Sequence, residues 1–127
     1  MKKVLLIDDD PVVTAVYAAL FEAGGYEVHT ADDGEAGLEA LYKQRPDAVL
    51  LDLSMPKLNG VQWLNKVRSD ARFAKLPVVI FTAGTISWQV NAARNTEGVY
   101  MLPKQGTDPR KVVDAVSTAL VTGTWRI

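Results

Sequence analysis

Asp8, Asp9 and Asp10, then Asp52, Thr82 and Lys104, are the side chains with the means to do chemistry together, and each segment directly follows a short apolar run. The runs are Val4 to Ile7, Ala48 to Leu51, Pro77 to Phe81 and Val99 to Leu102. Read as parallel strands, they bring their C-terminal ends to one sheet edge, where ligand chemistry gathers in α/β proteins. Carboxylates meeting there repel one another, and a bound divalent cation relieves the repulsion. An all-oxygen donor set favours a hard ion. Mg²⁺ suits it, because it takes about six oxygens, keeps several waters and works together with phosphate. A carboxylate can also attack phosphorus and form an acyl phosphate, with positioning and charge neutralisation supplying most of the catalysis. Such a site needs a nucleophilic Asp, carboxylates for the metal, a hydroxyl for a phosphoryl oxygen and a lysine to offset the added charge. Asp52, the pair Asp8 and Asp9, Thr82 and Lys104 can fill these places.

The elements that must position them alternate along the chain. Val4 to Ile7 is an uninterrupted apolar run, as expected of a strand covered on both faces. Asp10-Pro11 places a capping side chain before a proline at the first helical position, and Val12, Val13, Val16, Ala19, Leu20 and Ala23 follow at helical spacing until Gly24-Gly25. Tyr26 to Thr30 reads as a second strand, Asp33 to Tyr42 as a second helix and Ala48 to Leu51 as the third strand. Gly60 to Arg68 suits a helix, Pro77 to Phe81 a strand, Ile86 to Arg94 a helix and Val99 to Leu102 the fifth strand. Asp108-Pro109 repeats the cap-plus-proline start and opens a last helix. Five strands alternating with five helices through short connections imply an α/β fold, a doubly wound five-stranded parallel sheet with right-handed crossovers.

The 127 residues suit one domain with a core over about 3–121 and a short tail at 122–127. With 14 basic and 15 acidic residues the formal net charge is −1, and the basic residues form no patch of the kind a phosphate backbone attracts. Direct nucleic-acid binding is not expected. The absence of cysteine removes disulfides, thiolate metal sites and cysteine nucleophiles. Acidic residues follow Val4 to Ile7 at once, and the stretch is too short for a signal segment or a membrane span. A cytoplasmic protein that touches no membrane is therefore expected.

In order, the acidic pair after the first strand, Leu50-Leu51-Asp52-Leu53-Ser54-Met55-Pro56 with Gly60 soon after, Thr82-Ala83 after the fourth strand and a lysine after the fifth resemble the receiver domain of two-component response regulators, the CheY-like family. The similarity runs from Lys3 to about Leu120. It implies a flavodoxin-like sheet of strand order 2-1-3-4-5, and a phosphoacceptor domain in a phosphorelay rather than a metabolic enzyme. Asp52 matches the phosphoacceptor, which receives its phosphoryl group from a sensor histidine kinase or a histidine phosphotransfer protein. Asp9 matches the direct Mg²⁺ ligand, Asp8 the residue acting through a metal-bound water, and Ser54 the position whose backbone carbonyl ligates the metal. Thr82 matches the switch hydroxyl and Lys104 the lysine that pairs with the phosphoryl group. Phosphorylation, adding about −1 to −2 charges, would then shift the surface of the fourth helix, fifth strand and last helix, which would meet a downstream protein target or a second copy in a homodimer. Ser54 and Gly84 occupy the positions that tune phosphoryl lifetime.

Two positions depart from the family pattern. The lysine is usually followed by proline through a cis bond, whereas here the order is Leu102-Pro103-Lys104-Gln105. Either Lys104 sits on a differently shaped loop or the Leu102-Pro103 bond takes over part of the constraint, with Lys104 still expected to reach Asp52. The residue three before the lysine, usually a switching aromatic, is Met101, and Tyr100 should point to the opposite face. The changed loop supports an alternative, a pseudo-receiver acting as a phosphorylation-independent interaction module.

Plainer readings apply elsewhere. Asp10 is expected to cap a helix, Asp32-Asp33-Gly34 to form a turn and helix start, and His29 to be structural. Trp88 lies off the Ile86/Val90/Ala93 stripe and is read as packing, with a partner surface as the alternative. An FMN-binding flavodoxin is disfavoured by Asp8, Asp9 and Asp10 where a phosphate cradle should lie. A haloacid-dehalogenase-type phosphatase is disfavoured because the chain has no room for a cap domain.

Overall fold

Val4, Leu5, Leu6 and Ile7 are all buried in the first strand, β1 (Lys3–Ile7), and their side chains alternate between two separate apolar clusters. That alternation divides the molecule into layers. The structure, a computed structural model, describes residues 1–52, 58–82, 99–104 and 106–122. Its sheet adds β2 (Glu27–Ala31), β3 (Ala48–Leu51), β4 (Val78–Thr82) and β5 (Val99–Pro103), all parallel, in the order β2-β1-β3-β4-β5. This is the doubly wound, flavodoxin-like arrangement expected from the sequence.

On one face Leu5, Ile7, Val49 and Leu51 pack with Leu41 of α2 (Gly34–Gln44) and with Trp63, Leu64 and Val67 of α3 (Gly60–Arg68). On the other, Val4, Leu6, Leu50, Val79, Phe81 and Leu102 pack with Tyr17 and Phe21 of α1 (Pro11–Ala23) and with Val112 and Val116 of the C-terminal helix (Pro109–Thr122). The helices begin where the sequence places caps. Asp10 accepts from Val12 N at 2.9 Å and Asp33 from Ala36 N at 2.8 Å. Asn59 and Gln62 form a reciprocal capping box, and Asp108 accepts from Arg110 N at 2.9 Å ahead of Pro109.

Small differences have local causes. β2 begins one residue later than read, because Gly25 at φ 92° turns the chain and the Tyr26 amide still donates to Phe21 O at the end of α1. A 3-10 turn over Ala71–Phe73 was not expected; Asp70 caps it, and the Arg68 guanidinium donates to Phe73 O and Leu76 O, each at 2.7 Å. The helix read over 86–94, and with it Trp88, lies outside the described residues. Among the described residues no helix is long and apolar enough to cross a membrane.

Candidate functional site

β1 and β3 are neighbours in register, Ile7 opposite Leu51, and the Asp52 amide continues the ladder by donating to Ile7 O at 2.9 Å. Asp8 and Asp52 therefore leave the sheet side by side at its C-terminal edge. Both are buried, at 6% and 5% exposure, and they are the buried charged residues among those described. Asp9 beside them is exposed. One carboxylate oxygen from each of Asp8, Asp9 and Asp52 can lie within 4.8 Å of the others.

The Asp8 carboxylate is held at both oxygens. Oδ1 accepts from the Asp10 amide at 2.9 Å and Oδ2 faces the Lys104 ammonium at 2.8 Å. The same ammonium lies 3.8 Å from Asp52 Oδ2. Burial pulls the Lys104 pKa down, but the hydrogen bond to Asp8 and the charges of Asp52, Asp8 and Asp10 outweigh it, leaving the group above its ordinary value and charged. Burying two carboxylates without such a partner would be costly.

An open groove between α1 and α2, lined in part by Asp8, Asp9, Pro11, Thr14 and Asp32, gives solvent access to this edge. The donors fit a hard divalent ion. They are carboxylate oxygens without nitrogen or sulfur, close enough to share one ion, with an exposed member beside which waters can complete the shell. Asp10 stands apart from this set and caps α1.

Thr82 is the last residue of β4, in register with Pro103 of β5, so Lys104 follows the strand position next to Thr82. Pro103 occupies the end of a strand paired only with β4 among the described strands, where its missing amide is tolerated. Every peptide bond among the described residues is trans, Leu102–Pro103 included. Gln105, on which the shape of the Lys104 loop also depends, lies outside the described residues. Met101 is buried in the cluster containing Leu5 and Ile7, and Leu102 in the opposite cluster. Ser54, Ala83 and Gly84 lie outside the described residues.

Sequence reasoning paired Lys104 with Asp52, whereas the closer partner here is Asp8. It gave Phe81 no role beyond closing the fourth strand ahead of Thr82, whereas the Lys104 ammonium lies over its ring, 5.8 Å from the centroid. The available signal was an aromatic immediately before the strand-end threonine.

The response regulator receiver domain family matches residues 4–117. The protein PilH of Pseudomonas aeruginosa is 35% identical over 82 residues, which cover 65% of this chain and 68% of that protein. The DNA-binding dual master transcriptional regulator RpaA of Synechocystis is 37% identical over 83 residues, covering 65% of this chain but only 34% of RpaA. The chain thus spans about a third of the length of that longer regulator. Among solved structures, the chemotaxis response regulator CheY4 of Vibrio cholerae superposes with a TM-score of 0.83 at 25% identity, covering 92% of this chain and 97% of CheY4. A response regulator receiver domain from Clostridium thermocellum gives 0.80 at 25% identity, covering 94% of each chain. The strand order, the acid cluster at the strand ends and the family match agree, and the chain belongs to the response regulator receiver domains of two-component signal transduction.

Proposed function

We propose that Asp52 is a phosphoacceptor, charged in a Mg²⁺-dependent reaction by a phosphohistidine of a sensor kinase or phosphotransfer protein. The observation that carries this reading is the convergence of Asp8, Asp9 and Asp52 with the Lys104 ammonium at one sheet edge. An Asp52 carboxylate oxygen attacks phosphorus, the phosphorus–nitrogen bond breaks, and its electron pair leaves with the imidazole, which takes up a proton. Asp8, Asp9 and Asp52, with the Ser54 backbone carbonyl, would hold the metal, which when bound neutralises charge on the phosphoryl oxygens. Lys104 offsets the remaining charge and Thr82 offers its hydroxyl. The added phosphoryl group then shifts the balance of conformations around β5 and the C-terminal helix, with Met101 able to repack because its side chain is flexible. Ser54 and Gly84, both small, leave the acyl phosphate open to water.

The output is a protein contact, made with a downstream target or a second copy through a surface formed by the segment 86–94, β5 and the C-terminal helix. Direct nucleic-acid or membrane contact by this domain is not part of the reading, and the setting is cytoplasmic. The full span 1–127 is taken as one receiver domain.

The pseudo-receiver reading has one observation in its favour, the replacement of the usual Lys-Pro by Lys104-Gln105. The position of Lys104 against both buried carboxylates weighs against it. Beryllofluoride, a phosphoryl mimic, separates the two. With Mg²⁺ it is expected to shift the amide resonances of Met101, Leu102 and the first turns of the C-terminal helix, and to leave Asp52→Asn unchanged. Silence of the unsubstituted protein would favour the phosphorylation-independent module.

A further inference from the structure

Phe81 lies one residue before Thr82, and its side chain enters the cluster shared with α1 and the C-terminal helix. Phe81 is buried, at 4% exposure. Tyr17 of α1 meets it edge to face, with centroids 5.2 Å apart and planes at 71°, which fixes its tilt. Over this ring sits the Lys104 ammonium, 5.8 Å from the centroid, inside the range where an aromatic quadrupole attracts a cation.

The ammonium thus has neighbours of two kinds, the Asp8 and Asp52 carboxylates at 2.8 and 3.8 Å and the Phe81 ring. They respond differently to a divalent ion. Mg²⁺ seeks oxygen and draws on the same carboxylates that hold Lys104, whereas it has no use for a hydrocarbon ring. The backbone gives limited help. Pro103 fixes one torsion before Lys104, but Gln105 follows it where the family has proline, and the lysine stem itself is flexible.

We infer that Phe81 is a positioning residue for Lys104, its ring holding the ammonium beside Asp52 when the metal claims the carboxylates. The inference rests on the reading of Asp52 as phosphoacceptor, and it makes Phe81 act through Lys104 rather than on the phosphoryl group. Leucine would fill most of the same space without the quadrupole, and tyrosine would keep the ring.

Phosphorylation by phosphoramidate at saturating Mg²⁺ is expected to slow about two- to fivefold in Phe81→Leu, the range of a modest cation–π contact, and to recover in Phe81→Tyr. In a Lys104→Met background, Phe81→Leu should have no further effect. Independently of phosphorylation, the ring should move the Lys104 Hε resonances upfield in the Mg²⁺-loaded protein, a displacement lost in Phe81→Leu and kept in Phe81→Tyr. Unchanged Lys104 resonances in Phe81→Leu, or equal slowing by that substitution with and without Lys104, would overturn the inference. A ring-dependent Lys104 shift in a protein that accepts no phosphoryl group would uphold the contact while overturning the phosphoacceptor reading.

Discussion

Lys104 serves two masters at the residue scale. Its ammonium already sits on Asp8, one of the oxygens a divalent ion would use, so metal binding must proceed against an internal counter-ion. Lys104→Met removes that competitor and is expected to tighten Mg²⁺ binding severalfold by titration calorimetry while slowing phosphorylation, since the charge that offsets the phosphoryl group is lost. Weaker Mg²⁺ binding in the variant would show that Lys104 assembles the metal site instead of competing for it. The nearer pairing with Asp8 was not legible in the sequence. It depends on the path of a flexible side chain leaving an extended, proline-ended strand, and strand-end residue types alone do not determine that path.

At the scale of elements, α2 and the segment entering α3 approach so closely that glycine is required. A Cβ on Gly34 would run into the Leu58 carbonyl and lie 2.7 Å from the Leu58 Cβ, and one on Gly37 would meet Ile7 Cδ1 at 2.7 Å and Trp63 Nε1 at 3.0 Å. Leu58 belongs to the connection that runs from Asp52 to α3. Gly34→Ala is therefore expected to destabilise the fold by about 1–3 kcal/mol, as overpacking does, and to weaken Mg²⁺ binding by displacing that connection. A urea midpoint that falls while Mg²⁺ affinity stays unchanged would confine the effect to packing. The helix starts were readable because Asp10-Pro11 and Asp108-Pro109 carry their own cap chemistry. The turn at Ala71–Phe73 was not, because it depends on the Arg68 side chain reaching across to backbone carbonyls.

For the whole molecule, the sheet divides into two apolar clusters that the uninterrupted runs of β1 and β3 made legible, and its order brings the acid-bearing strands together. Stability is given up at that edge. Asp8 and Asp52 are buried, and Asp9 adds a third negative charge beside the Lys104 ammonium. Asp52→Asn should thus raise the metal-free unfolding free energy by on the order of 1 kcal/mol, and saturating Mg²⁺ should narrow or reverse the difference; a less stable metal-free variant would mean that Asp52 is fully compensated. The most direct measurement is the intact mass after incubation with phosphoramidate, with and without Mg²⁺, for the unsubstituted protein and Asp52→Asn. A single labile phosphoryl adduct that requires both the metal and Asp52 is the expected result. An adduct that persists in Asp52→Asn, or that forms equally well after Mg²⁺ is chelated, would contradict the assignment of this edge as a metal-dependent phosphoacceptor site.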